Sequence, residues 1–254
     1  MLETKIKSLR QEKPILLMTH LVLGFPSFEE NRKTIAAFAQ AGVELVELQI
    51  PFSEPSADGP LIVRANAESL QRGTTVAQCF QFVNEVCHDF QDVNFLLMTY
   101  TNILFAKGMD CALIDAKKAG VCGFIIPDLP PEESEDWMVQ CKNGEMANVL
   151  IMTPTSSTQR LAFIGQQSTG LVYCVGRRGV TGLKTDFGLV LSKQIEMYSR
   201  STSLPLALGF GVKSAEDVAF LTGKVDIAVL GSKLIELHLE AGAAGVFAFL
   251  DQVR

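Results

Sequence analysis

The stretch Val43-Glu44-Leu45-Val46-Glu47-Leu48-Gln49-Ile50-Pro51-Phe52-Ser53-Glu54-Pro55-Ser56-Ala57-Asp58-Gly59-Pro60 decides the reading of this chain. Val43 to Ile50 alternates as a strand does: Val46, Leu48 and Ile50 fall on one face, Leu45, Glu47 and Gln49 on the other. Pro51 ends the strand, because proline cannot donate to a ladder. A loop rich in proline and glycine follows and carries Asp58. Glu47 therefore sits near the carboxyl end of a strand. A carboxylate there is costly to bury unless it opens onto a polar site.

Working outward, the same unit repeats. Leu2 to Glu12 reads as a short amphipathic helix stopped by Pro14, and Ile15 to Val22 as the first strand. Ser27, with Glu30 three residues on, has the form of a capping box opening a helix to about Ala41. After the quoted strand, helical patterns cover Leu61 to Arg72 and Thr75 to Phe90. Further strands are expected at Asn94 to Met98, Cys122 to Ile126, Ala147 to Met152, Leu171 to Val175, Leu204 to Leu208 and Asp226 to Leu230. Helices are expected over Met109 to Ala119 and Glu132 to Cys141, and Ser156-Ser157-Thr158 caps another. Eight short apolar strands with helices between them predict an α/β fold, a (β/α)8 TIM barrel. It is expected to be a single domain over 1–254 with an extra N-terminal helix. The competing architecture, an open doubly wound sheet, lacks its GxGxxG opening here.

Composition narrows the function classes. Hydrophobic residues make 48% of the 254 and charged ones 20%, which argues a packed globular chain and against disorder. A net charge of −6 disfavours a nucleic-acid surface. No apolar run reaches membrane-spanning length. The six cysteines form no CxxC pair and the three histidines are far from ligand spacing, so no metal site is expected. Free thiols point to the cytoplasm.

In a barrel of this kind the chemistry lies at the carboxyl ends of the strands. Glu47, Asp58, Tyr100, Asn102, Asp128, Thr181, Gly211 and Ser232 all fall there. Three glycine features follow late strands: Gly176 to Gly182, Gly209-Phe210-Gly211, and Gly231-Ser232. Glycine lets backbone N–H groups approach an anion, and helix N-termini attract one, so these turns predict a phosphate site. The basic, glycine-rich segment 176–187 has the composition of a mobile lid.

Taken together, these residues resemble the tryptophan synthase α subunit family over nearly the whole chain. The family's signature E-L-G-x-P-F-S-D-P-x-A-D-G-P is matched by Glu47 to Pro60. Further matches are Met98-Thr99-Tyr100-Thr101-Asn102, Pro127-Asp128-Leu129-Pro130, Arg177 with Gly179-Val180-Thr181-Gly182, Gly209-Phe210-Gly211 and Gly231-Ser232. The resemblance implies retro-aldol cleavage of indole-3-glycerol phosphate to indole and glyceraldehyde 3-phosphate. It implies no cofactor in this chain, and a PLP-containing β subunit as partner in an αββα heterotetramer. Glu47 would then be the general acid/base and Asp58 the carboxylate that holds the indole N–H. Gly182, Gly211, Gly231 and Ser232 would cradle the phosphate. Tyr100, Tyr173, Thr181 and Phe210 would line the pocket. The chemistry fits two carboxyl groups: indole leaves as a neutral ring only after C3 is protonated, and the resulting cation needs an anion beside it.

Three positions depart from the family. Gln49 replaces a glycine and points the same way as Glu47, where it adds volume and an amide able to bond Glu47. His20 stands where an aromatic side chain packs on the indole. Glu54 replaces an aspartate in the loop expected to face β. Two readings follow: a working lyase with an adapted pocket, or a chain impaired by Gln49 and His20 that serves mainly to bind and activate β. A Schiff-base aldolase would need a lysine at a strand end, and none of the strands as read carries one.

Overall fold

The structure, a computed structural model, describes residues 1–176, 184–209 and 211–254, with the backbone alone for 184–187. In chain order the elements are α1 (Leu2–Glu12), β1 (Leu16–Val22), α2 (Phe28–Gln40), β2 (Leu45–Gln49), α3 (Pro60–Gln71), α4 (Val76–Asp89) and β3 (Asn94–Met98). Then come α5 (Thr101–Lys107), α6 (Met109–Ala119), β4 (Gly123–Ile125), α7 (Glu135–Asn143), β5 (Ala147–Val149), β6 (Ile151–Met152), α8 (Thr158–Gln167) and β7 (Val172–Val175). The chain ends with α9 (Lys184–Ser199), β8 (Leu206–Gly209), α10 (Ala215–Leu221), β9 (Ile227–Leu230) and α11 (Ser232–Gln252).

All described strands are parallel and run in the order β5-β4-β3-β2-β1-β9-β8-β7-β6. The count of nine differs from the expected eight for a simple reason. The run 147–152 breaks at Leu150, so its first half pairs with β4 and its second half with β7. One stretch of chain thus bonds to both ends of the sheet, and the barrel closes. Leu150 itself still accepts from Tyr173 N at 3.0 Å. The expected (β/α)8 barrel is the observed one.

Strand alternation sorts the core into two layers. Leu16, Met18, Leu45, Leu96, Met98, Ile125, Val149, Ala207 and Val229 fill the barrel interior. Val46, Leu48 and Ile50 face outward into the layer under the helices. Leu2 and Ile6 of α1 join the interior cluster, so the extra N-terminal helix covers the floor of the barrel with its apolar face. Floor residues are also tied by charge: buried Glu44 accepts from Lys13 Nζ at 2.6 Å, Arg254 Nη2 at 2.9 Å and Leu17 N at 2.8 Å.

Some local expectations change. Ser27 Oγ accepts from Glu30 N at 3.1 Å, but the Glu30 carboxylate pairs with Lys33 instead of returning to the cap, so the box is half made. The reciprocal box forms at Thr75 and Gln78. A short helix, α5, follows β3 where the sequence reading had only a polar segment. Asp128 Oδ1 accepts from Thr101 N and Thr101 Oγ1, both at 2.9 Å, and so stabilises the start of that helix.

Candidate active site

At the carboxyl ends of the strands lies a cavity of about 520 Å³. Glu47, Asp58, His20, Gly211, Gly231 and Ser232 are among the residues that line it. Apolar side chains between them, among them Ile62, Met98, Ile125, Ile151 and Val229, make walls suited to a flat hydrophobic ring.

Glu47 reaches the cavity because Leu45, Glu47 and Gln49 share the inner face of β2. The parallel register of β1 on β2 sets His20 opposite Glu47. His20 Nδ1 stands 3.4 Å from Glu47 Oε2, and both side chains are almost wholly buried. Burial alone would lower the His20 pKa; the charge and hydrogen bonding of Glu47, the charge of Asp58 and the neighbouring Gln49 side chain outweigh that, and the imidazole is raised above 6.5. Among the described residues His20 Nε2 has no hydrogen-bond partner.

Asp58 sits in the loop between β2 and α3. Its Oδ2 accepts from Gln49 Nε2 at 2.7 Å and from Tyr100 Oη at 2.9 Å, while Tyr100 Oη accepts from Ala57 N at 3.1 Å. Tyr100 stacks on Phe52 with ring centroids 5.0 Å apart. Burial pushes the Asp58 carboxyl above its ordinary value, against the pull of His20 and of the two hydrogen bonds. Gln49 therefore bonds Asp58, not Glu47 as its position on the strand suggested. Its side chain and that of Tyr100 are fully buried and reach the site through Asp58.

Tyr173 points inward from β7. Burial, then the charges of Glu47 and Asp58, push its phenol well above 10, so it is neutral and can donate. Gly209 exists for this ring: a Cβ there would lie 2.3 Å from Tyr173 Oη. Gly211 has φ +58, a conformation that favours glycine, and a side chain there would meet no atom of the described residues within 4 Å. Ser232 begins the 21-residue α11 with Gly231 as its N-cap. The Gly231 Cα carries no side chain beside His20, whose Cβ is 3.8 Å from where one would begin. The turn into α11 thus adjoins the Glu47 side of the cavity at His20.

Thr181, Gly182, Phe210 and the proposed lid at 176–187 (Gly176 and the backbone from Lys184 excepted) lie outside the described residues. Asn102 is exposed on α5. The sequence reading missed Lys213 and Lys233, which both line the cavity. A signal was there: each lysine stands two residues after a late-strand glycine, in Gly211-Val212-Lys213 and Gly231-Ser232-Lys233. Among the described residues no group of acids, histidines and cysteines is placed to hold a metal ion.

The family model for the tryptophan synthase alpha chain matches residues 6–245. The tryptophan synthase alpha chain of Syntrophotalea carbinolica is 46% identical over 254 residues, all of both chains. That of Desulfotalea psychrophila is 46% identical over 253 residues, covering 100% of this chain and 99% of the relative. Among solved structures, the tryptophan synthase subunit alpha of Legionella pneumophila superposes with a TM-score of 0.90 at 26% identity, over 99% of this chain and 96% of that one. A tryptophan synthase structure from M. tuberculosis gives 0.89 at 25%, over 99% and 97%.

Proposed function

The chain belongs to the tryptophan synthase alpha chain family, and from that premise we propose that it is a carbon–carbon lyase splitting indole-3-glycerol phosphate into indole and glyceraldehyde 3-phosphate. One observation carries the assignment to this site: the two carboxyl groups of Glu47 and Asp58 and the late-strand residues Gly211, Gly231 and Ser232 line a single cavity. One phosphorylated molecule with an apolar ring spans those features.

The roles follow from the atoms. The ring lies among Ile62, Met98, Ile125 and Val229. Asp58 receives the indole N–H on Oδ1, because Oδ2 is already taken by Gln49 and Tyr100. Its charge stabilises the ring cation formed when C3 is protonated. Glu47 delivers that proton and takes one from the glycerol hydroxyl, after which the C–C bond breaks and neutral indole leaves. The free N–H groups at the start of α11 and the backbone at Gly211 bind the phosphate, and Lys213 and Lys233 add positive charge beside it. Gly182 is assigned to the same cradle, and Thr181 and Phe210 to the pocket wall, on their match to the family motifs.

The partner is a tryptophan synthase β subunit, which carries PLP and takes the indole; this chain needs no cofactor for the cleavage. The surface around the cavity suits docking. Phe105 of α5 is 76% exposed on the carboxyl-end face, and Glu54 is exposed in the loop after β2. No described helix is long and apolar enough to cross a membrane. The free cysteines support a cytoplasmic location.

Nothing in the geometry favours the reading in which Gln49 and His20 disable the site: Gln49 lies under Asp58, and the cavity beside Glu47 remains. A steady-state lyase assay on the isolated chain and on its complex with β tests this. Turnover in both, lost in Glu47→Gln, is expected. A chain that activates β yet gives no turnover in either state would hand the case to the regulatory reading.

A further inference from the structure

His20 is the feature that the functional reading leaves unexplained. It is a buried imidazole on the cavity wall, paired with Glu47 on one nitrogen and, among the described residues, without a hydrogen-bond partner on the other. Its strand lies between β2, which carries Glu47, and β9, whose end leads to Gly231. A substrate reaching from Asp58 to the phosphate cradle therefore passes Glu47 and His20 with its glycerol chain.

Building on the lyase reading, we propose that His20 and Glu47 work as one proton-holding pair, in which His20 Nδ1 stores the proton that Glu47 gives to indole C3 and His20 Nε2–H donates to the hydroxyl oxygen on the carbon being released. The step balances. The Nδ1 proton passes to Glu47, and Glu47 transfers it to C3. The carboxylate so formed takes the hydroxyl proton as the C–C electron pair returns to the ring and the C–O bond becomes a carbonyl. Glu47 then returns that proton to Nδ1. Indole and aldehyde leave, and the pair ends with the proton count it began with. His20 thus acts on the substrate directly through Nε2 and reserves the proton for Glu47 through Nδ1.

The surroundings favour storage. The carboxyl groups of Glu47 and Asp58 face His20, Tyr173 is a neutral phenol, and Lys213 and Lys233 line the same cavity. Behind His20, across a small cavity, His238 is engaged by Thr34 at 2.9 Å and stands 3.5 Å from Glu30. Burial lowers the His20 pKa, but the two carboxylates outweigh it, so the pair keeps its proton at a pH where a lone carboxylic acid has lost it.

The test has two arms. In the lyase reaction, His20→Asn keeps a donor but no store. The alkaline limb of its kcat profile is expected to move down by about one pH unit or more, toward that of a lone carboxylic acid. His20→Phe should show the same shift with a larger loss of turnover. A substitution that only loosened packing would lower kcat at every pH and leave the limb in place, and that result overturns the pair. In the second arm, proton NMR follows the imidazoles, of which the chain has three. The resonance missing from His20→Asn should titrate above 6.5 in the unsubstituted protein and fall in Glu47→Gln; an unmoved titration also overturns the proposal. Failure of the unsubstituted chain to turn over would sink the lyase reading and this one with it, whereas turnover with an unmoved limb sinks this one alone.

Discussion

Gln49 holds Asp58: its Nε2 donates to Asp58 Oδ2 at 2.7 Å from a side chain with no exposed surface. The residue that departs most plainly from the family signature is therefore a support for a site carboxylate. A hydrogen bond to a charged group is worth about 1.5–3 kcal/mol, and about 1.4 kcal/mol is tenfold in a rate or affinity. Gln49→Gly should accordingly lower kcat/KM for indole-3-glycerol phosphate by about tenfold, with Tyr100 keeping Asp58 partly in place. Steady-state kinetics check this. A rise in kcat/KM would mean that Gln49 obstructs the pocket.

Gly209 and Tyr173 make the second prediction. An alanine Cβ at 209 would fall 2.3 Å from Tyr173 Oη and 2.7 Å from two ring carbons. The ring has to move, and overpacking of this kind costs about 1–3 kcal/mol. Gly209→Ala should lower the urea midpoint and raise KM together. Adding Tyr173→Phe removes the closest clash and should recover part of the stability but not the KM. If Gly209→Ala leaves both quantities unchanged, the ring does not occupy the described position.

Part of this site was legible from residues 43–60: alternation with period two gave the inward direction of Glu47 and Gln49, and both sit on the inner side of β2. The contacts were not legible, because they depend on register. That His20 meets Glu47 follows from how β1 slides on β2, and no local pattern encodes that offset. The break at Leu150 was hidden because 147–152 is apolar enough to read as one strand, while its hydrogen bonds divide between two neighbours. Asp128, read only as one of the polar residues at a strand's carboxyl end, bonds the start of α5. Lys213 and Lys233 show no local signature of a site beyond their glycine spacing, since a lysine beside a helix start is usually solvated, and only the fold brings both to the cavity.

Phe105 gives the third prediction. It is 76% exposed on α5, the helix that follows the carboxyl end of β3, and buried aromatic anchors contribute about 2 kcal/mol or more to an interface. Phe105→Asp should weaken binding of the β subunit by tenfold or more in calorimetric titration. Exposed substitutions away from special features change stability by about 0.5 kcal/mol at most, so lyase turnover by the isolated chain should stay unchanged. Unaltered affinity for β would place the docking surface elsewhere.

Asp58 sets function against stability. Burial raises its carboxyl above the ordinary 3.8, which means that folding disfavours its charged form. The sign follows from linkage. Below the unfolded value both states hold the proton and Asp58 costs nothing as a charge; as pH rises through the folded value, the fold loses stability relative to that limit. Asp58→Asn removes the charge and can still accept from Gln49 and Tyr100. At pH 7 the variant should therefore melt higher than the parent, by about 2 °C for each half to one kcal/mol relieved in a chain of this size. The gain should shrink as pH falls toward 3.8. Lyase turnover should be lost, since a neutral amide gives the ring cation no counter-charge. Thermal melts across that pH range decide it: a variant less stable than the parent at pH 7 would show that His20 and the two hydrogen bonds outweigh burial, and that the carboxylate is held in comfort.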